Sequence, residues 1–270
     1  MDGDILSQWL REDIGLGDFT TKAVVKNEIC KASVTGGPGV LSGLVLVTKL
    51  LHRFNIKYKT DYVDGDKIGK NKNIFELEGN SHDILSVERL LLNILSHFSG
   101  ISSLTSKVVE VAISVNPDVT ILATRKTTPG LRDLEKEAVV HGGGATHRMR
   151  LDDAILIKDN HLFLSPSIKK AINSSRKKYP NLMVEVEADT IEQAIEAAKN
   201  GADRIMFDNF SIKDAELAYS QLKNISNIDI EISGGIDLSN VAKYAPYADY
   251  ISLSSLTMSS TPVDFSLHVF

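Results

Sequence analysis

The chain has 270 residues, 43% of them hydrophobic and 24% charged, the balance of a folded globular protein rather than a disordered one. Thirty basic and 35 acidic residues leave a net charge of −5, which argues against nucleic-acid binding through overall charge. The one cysteine, Cys30, excludes internal disulfides and cysteine-based zinc sites. The first eighteen residues carry acids and no long apolar core, and no stretch reads as a transmembrane span. A cytoplasmic enzyme with no membrane partner is the expectation.

In chain order, a short amphipathic start leads into a polar loop of Glu12, Asp13, Gly15, Gly17 and Asp18. Strands are expected at Ile29–Val34 and Leu41–Val47, with Gly36-Gly37-Pro38-Gly39 as the turn between them. Asp64-Gly65-Asp66 and Gly79 punctuate a further pair of short strands, with Ile74 to Leu77 as the buried piece. From Ile84 to Phe98 the period is helical, because Ile84, Val87, Leu91, Ile94, Leu95 and Phe98 fall in one stripe. Arg89 and Asn93 lie on the opposite face, where a solvated role is the ordinary reading.

The remainder alternates strand and helix. Thr120–Thr124, Ala154–Ile157, Met183–Glu187, Arg204–Phe207, Asp229–Ile232 and Tyr250–Leu253 are short apolar runs suited to buried parallel strands. Thr190 and Gln193 form a capping box before the stripe Ile191, Ala194, Ile195 and Ala198, and Gly201 stops that helix. Ser211 caps the next, whose stripe is Ile212, Ala215, Tyr219 and Leu222. Such β-α repetition predicts a parallel sheet or a barrel, and only six of a full barrel's eight strands are visible.

Catalytic sites of β/α barrels form at the C-terminal ends of the strands. The residues there are Arg125 and Lys126, Lys158, Glu187, Asp208, Ser233-Gly234-Gly235, and Ser252 with Ser254. Arg125, Lys126, His147, Arg148 and Lys158 gather positive charge near Gly142-Gly143-Gly144, as suits an anion with more than one acidic group. Glu187 and Asp208 suggest Mg²⁺ or ribose hydroxyls, and the glycines after Ser233 free backbone N–H groups for phosphate. His141, His147 and His161 match no common zinc spacing. Interspersed acids dilute the basic stretch for nucleic acid. No nucleophile elbow, P-loop or dinucleotide fingerprint is present.

The literal strings then carry a resemblance. Glu88-Arg89-Leu90-Leu91-Leu92-Asn93 with Ser99-Gly100-Ile101, and Thr124-Arg125-Lys126-Thr127-Thr128-Pro129-Gly130-Leu131-Arg132, resemble motifs of the quinolinate phosphoribosyltransferases. Glu135-Lys136, His147-Arg148, Leu156-Ile157-Lys158-Asp159-Asn160-His161, Val184-Glu185-Val186-Glu187, Ile205-Met206-Phe207-Asp208-Asn209 and Glu231-Ile232-Ser233-Gly234-Gly235-Ile236 follow in that family's order. The resemblance implies an N-terminal α/β sandwich over 1–105, joined by the tail 260–270, and an incomplete, roughly six-stranded parallel α/β barrel over 106–259. It implies conversion of quinolinate and 5-phosphoribosyl-1-diphosphate to nicotinate mononucleotide, CO₂ and diphosphate in de novo NAD synthesis, with Mg²⁺.

Residue by residue, it places Arg125, His147, Arg148 and Lys158 at the quinolinate carboxylates. Arg89 is supplied across the interface of a homo-oligomer that is at least a dimer. Lys126, Glu187 and Asp208 fall at the diphosphate substrate and its metal, and Ser233, Gly234, Gly235, Ser252 and Ser254 at its phosphate. Lys126, Lys158, Glu187 and Asp208 carry the catalytic roles. One stretch departs from the pattern: Ser254 stands where the family has glycine, and Met258 where it has histidine. A ModD-like paralogue with another substrate, or a non-catalytic phosphate-ligand sensor, are the rival readings.

Overall fold

The computed structural model describes residues 4–225 and 227–270, so Met1–Gly3, the start of the expected amphipathic segment, lie outside it. Two compact units emerge: Met1–Leu104 with Val140–Gly143 and Ser260–Phe270, and Thr105–Val139 with Gly144–Ser259.

The first unit opens with α1 (Ile5–Ile14), capped by Asp4, and α2 (Phe19–Val24), capped by Asp18. Glu12 and Asp13 belong to α1 rather than to the expected polar loop. Strand β1 (Ile29–Gly36) forms as expected, and β2 is the short Gly39–Val40. The expected strand at Leu41–Val47 is instead the approach to a helix, α3 (Leu44–Arg53). Leu44, Val47, Leu50 and Leu51 are its buried positions, at helical spacing. Its free N–H groups are capped from a distance, by Asp64 Oδ1 on Leu44 N (2.9 Å) and Oδ2 on Val45 N (3.3 Å). No local cap announces that helix.

Strands β3 (Lys57–Lys59), β4 (Lys67–Ile68) and β5 (Lys72–Asn80) follow; Gly79 lies within β5 rather than ending a strand. Helix α4 (Ser81–Ile113) runs far beyond the expected Phe98, and all six expected stripe residues are buried. By length and composition α4 could cross a membrane, contrary to the reading that no stretch does. Yet 61% of its apolar window is buried inside this fold, the pattern of a core helix.

The second unit alternates strand and helix. It contains β6 (Thr120–Ala123), α5 (Arg132–His141, ending at the unit boundary), β7 (Ala145–Thr146), β8 (Ile155–Ile157), α6 (Asp159–Leu164) and α7 (Ile168–Lys178). Then come β9 (Val184–Ala188), α8 (Ile191–Lys199), β10 (Arg204–Asp208), α9 (Ile212–Ile225) and β11 (Asp229–Ser233). A short α10 (Val241–Tyr244), β12 (Tyr250–Leu253) and α11 (Ser255–Met258) complete it.

Thr190 does cap α8, but Gln193 Oε1 accepts from Asp189 N (2.8 Å), so the reciprocal box is displaced by one residue. The fully buried positions of α8 are Ala194 and Ala197, not Ala198, and those of α9 are Ala215, Ala218 and Leu222. Small residues let α8 approach β9 and β10 closely, and α9 packs against α8.

All seven strands of this unit are parallel, in the order β7-β6-β12-β11-β10-β9-β8. The six expected strands are present, and the seventh, β7, is a two-residue edge that no periodicity could reveal. The chain then returns to the first unit as β13 (Phe265–Val269), giving an antiparallel sheet ordered β13-β1-β5-β3.

Gly36 sits directly opposite Phe265 in the β1–β13 pairing, and a Cβ there would overlap the Phe265 ring. Alanine normally improves a strand, but here overpacking is expected to dominate. Gly36→Ala should cost about 1–3 kcal/mol in chemical denaturation. An unchanged or raised midpoint would show that the ring turns aside freely.

Candidate active site

A cavity of about 370 Å³ opens at the C-terminal ends of the second unit's strands. Residues from β6 to β8, near opposite edges of the strand order, line the same space, so the sheet is curled into an open barrel. The lining includes Thr124, Arg125 and Lys126 after β6, His147 and Arg148 after β7, and Leu156 and Lys158 at β8. It continues with Glu187 on β9, Met206 and Asp208 on β10, Glu231 and Ser233 on β11, and Ser252 on β12.

Local hydrogen bonds fix each approach. Lys126 N donates to Thr124 Oγ1 (3.1 Å), and Lys126 O accepts from Thr257 Oγ1 of α11 (2.7 Å). His147 N continues the β7 ladder to Ala123 O (3.1 Å). Lys158 Nζ donates to Glu187 Oε2 (2.6 Å), a cross-strand ion pair in which the carboxylate is nearly buried. Asp208 Oδ2 accepts from Asn209 Nδ2 (2.7 Å). Asn209 is left-handed at φ 55°, which lets its N–H reach Ser233 O (3.0 Å). Gly234 at φ +86° is obligatory beside it, since a Cβ would come within 2.7 Å of Asn209 N.

The cations of the cavity repel one another. Burial, and then the neighbouring charge of Arg125, push the Arg148 guanidinium below its ordinary range. Arg125 Nε is buried with no acceptor. An anion held between these two groups would relieve both penalties. Glu187 and Asp208 supply hard oxygen donors of the kind Mg²⁺ takes.

Under the cations lies a buried cluster. His147 Nε2 is 2.8 Å from Glu185 Oε2 and 3.5 Å from Glu231 Oε2, and Arg204 Nη1 donates to Glu231 Oε2 (3.3 Å). Burial lifts the Glu185 carboxyl to about 7, with Arg204 pulling the other way. Burial and then the charge of Glu185 lift Glu231 to about 7 as well. Two adjacent buried carboxyls hold a proton that either would shed alone in water. Burial holds the His147 imidazole below its ordinary value. Ligand atoms of His147, Glu185 and Glu231 lie within 4.8 Å of one another. The Arg204 guanidinium already supplies that cluster with positive charge, so it reads as an ion-pair network rather than a metal centre. The other histidines considered for a metal have protein partners, His141 Nδ1 with Ser42 Oγ (2.9 Å) and His161 Nδ1 with Lys158 N (3.0 Å).

Of the residues singled out from sequence, Arg125, Lys126, His147, Arg148, Lys158, Glu187, Asp208, Ser233 and Ser252 line one cavity. Gly234 and Gly235 follow Ser233 just outside the lining, and Ser254 immediately precedes α11, which ends at the exposed Met258. Arg89 is an exposed residue of α4 in the first unit. Sequence reasoning gave no role to Glu185, Glu231 or Asn209. The signal was there for the first two: Glu185 and Glu231 each sit two residues before a cavity residue, hence on the same strand face.

Folded Glu231 keeps its proton up to about pH 7, whereas the unfolded chain releases it near 4.5. Its contribution to stability is therefore full below pH 4.5 and is lost as pH rises through 7. Glu231→Gln removes that slope. The variant's thermal midpoint relative to the native protein should rise between about pH 4.5 and pH 7 and level off above, and a constant difference across that range would show that the carboxyl is ionised throughout.

The chain matches the family model for the quinolinate phosphoribosyl transferase N-terminal domain over residues 18–99 and that for the C-terminal domain over residues 101–268. It is 37% identical to a probable nicotinate-nucleotide pyrophosphorylase [carboxylating] of Methanothermobacter thermautotrophicus, over 98% of both chains. It is 32% identical to the human nicotinate-nucleotide pyrophosphorylase [carboxylating], over 98% of this chain and 91% of that one. The solved structure of the nicotinate-nucleotide pyrophosphorylase from Francisella tularensis superposes with a TM-score of 0.94 at 33% identity, covering 98% of this chain and 95% of that one. Sequence and fold agree over nearly the whole length, and the chain belongs to the quinolinate phosphoribosyl transferase family.

Proposed function

We propose that the protein is a pentosyltransferase that joins quinolinate to 5-phosphoribosyl-1-diphosphate, releasing diphosphate and CO₂ and forming nicotinate mononucleotide for NAD synthesis. It works in the cytoplasm, with Mg²⁺, as a homo-oligomer. The observation that carries the reading is the crowding of Arg125, Lys126, Arg148 and Lys158 around one cavity, with a buried Arg125 nitrogen left without an acceptor. A planar dicarboxylate satisfies two guanidiniums and an ammonium together, which a single carboxylate cannot.

The chain's residues then divide the work. Arg125, Arg148 and Lys158 grip the two carboxylates and aim the ring nitrogen at C1 of the ribose. As the C1–O bond to diphosphate breaks, positive charge grows on the sugar, and Glu187 and Asp208 face it with negative charge. Lys126 neutralises the leaving diphosphate; Glu187 and Asp208 would hold Mg²⁺, which would supply further neutralisation of that charge. Ser233, Gly234 and Gly235 receive the 5-phosphate, with Ser252 and Ser254 beside them. The new C1–N bond makes the pyridine ring cationic, so the C–C bond to the 2-carboxylate breaks with its electron pair held by the ring. CO₂ leaves, and C2 takes a proton. No covalent enzyme intermediate is needed, so catalysis rests on positioning and field.

Incubation with quinolinate, 5-phosphoribosyl-1-diphosphate and Mg²⁺ should give nicotinate mononucleotide and CO₂ in equal amounts. Nicotinate, lacking the 2-carboxylate, leaves cavity cations unpartnered, and its kcat/KM should be lower by about 100-fold or more. Comparable turnover of both acids would sink the dicarboxylate assignment.

Lys158→Ala should abolish turnover, since it removes a grip on the substrate and strands Glu187. If Arg89 reaches a neighbouring subunit's cavity, Arg89→Ala should also be inactive alone, and mixing the two inactive variants should restore part of the activity. No recovery on mixing, with subunit exchange verified, would place Arg89 in its own subunit's site or in none.

A further inference from the structure

Two fully buried charged side chains of the second unit, Lys136 on α5 and Glu185 on β9, belong to neither the solvent face nor the cavity lining. No step of the reaction above uses them. Both end on the same short segment, His147-Arg148. Lys136 Nζ donates to His147 O (2.6 Å) and to Arg148 O (2.9 Å), spanning two successive carbonyls. Glu185 Oε2 lies 2.8 Å from His147 Nε2, and Arg148 N donates to His147 Nδ1 (2.8 Å).

That last bond decides the tautomer. A backbone amide can only donate, so Nδ1 carries no proton and the ring's single N–H is on Nε2, aimed at Glu185. Both ring nitrogens are therefore committed within the protein. What His147 leaves to the cavity is ring carbon and backbone, neither of which grips a carboxylate.

The segment beyond is pinned as tightly. Asp153 Oδ2 accepts from Met149 N (2.6 Å) and Arg150 N (3.0 Å), and Arg132 Nη1 donates to Met149 O (3.2 Å). The Arg148 guanidinium is steadied by Nη1 to Ala154 O (3.1 Å). A buried ammonium is costly, and burial followed by the charges of Arg132 and Arg125 lowers Lys136 to about 8. Two short carbonyl contacts in one place are what offset that cost.

We propose that Lys136 and Glu185 are positioning residues, acting through a neutral, Nε2-protonated His147 to aim the Arg148 guanidinium into the cavity, and that His147 itself donates no hydrogen bond to the substrate. The substrate meant is quinolinate, so the inference rests on the function proposed above. It moves His147 from the carboxylate-binding set to the frame behind it.

Two measurements test it. In the native protein labelled with ¹⁵N-histidine, the free enzyme should show His147 as the neutral Nε2–H tautomer, and added quinolinate should leave it so. A signal for Nδ1–H, or conversion to imidazolium when quinolinate binds, would overturn the proposal. The spectrum of the free enzyme tests the network without any substrate, whereas failure of the native enzyme to turn over quinolinate would count against the function instead.

The second measurement is kinetic. Lys136→Met and Glu185→Leu should raise the KM for quinolinate by about tenfold or more with the KM for 5-phosphoribosyl-1-diphosphate within about twofold. Glu185→Gln keeps an acceptor for the Nε2 proton and should restore the native KM. Equal rises in both KM values, loss of active protein with unchanged KM, or no rescue by glutamine would each show that the cluster merely stabilises the fold. Should the first two variants fail to fold, the spectrum and Glu185→Gln decide.

Discussion

The strands of the second unit all run the same way, and everything in the site depends on the register this imposes. Arg204 lies level with Glu185 and Asp229, Met206 with Glu187 and Glu231, and Asp208 with Ser233. Side chains alternate across a sheet, so these positions deliver three successive levels to one face. At the deepest level are Glu185, which meets His147, and Arg204, which meets Glu231 of the next level and Asp229 beside it. The two levels above, Glu187 with Met206 and Glu231, then Asp208 with Ser233, face the cavity. Val184 and Val186, one residue out of step, take the opposite face beneath the helices. A slip of one residue would exchange the faces and lose both the core and the site.

The buried tier is expensive, and its composition shows how the cost is contained. Two carboxyls that shed protons near pH 7, a neutral imidazole and one guanidinium stacked 3.7 Å over the Tyr250 ring leave little uncompensated charge. Such a layer adds little net stability compared with apolar packing. Its effect is directional: His147 is held between Glu185 and the Arg148 amide, and Arg204 bridges Glu231 and Asp229, so the segment above is held in one arrangement. The cavity needs that rigidity, because four cations sharing about 370 Å³ would otherwise drift apart before an anion arrived.

The cavity is thus charged in advance. Arg125 and Arg148 repel each other in the free protein, and in the proposed reaction a bound dicarboxylate removes that repulsion, so part of the binding energy comes from strain already present. Lys158 is engaged differently, being paired with Glu187 at 2.6 Å. In the proposed reaction it trades that carboxylate for the substrate's, which frees Glu187 to face the sugar as positive charge develops there. One exchange of partners links substrate binding to the electrostatics of the bond-breaking step.

Periodicity alone determined much of this protein. Six of seven barrel strands, the buried stripe of α4 and the charged residues at successive strand ends are all local signals, carried by spacing and by where apolar runs stop. The strings around Arg125, Lys158 and Asp208 added the family. Interactions between distant residues were not legible. The cap of α3 comes from Asp64, twenty residues away, so Leu41–Val47 read as a strand. Strand β7 is two residues long and exists only because β6 offers it a ladder. Lys136 carried no signal beyond its place in the Glu135-Lys136 string until the fold brought two carbonyls to it. His147 looked like an anion-binding residue until a backbone N–H on one ring nitrogen and a carboxyl on the other set its tautomer. Composition and spacing decide which residues can be buried or charged. Only the tertiary structure decides which partner each buried charge finds, because that pairing is made across the chain.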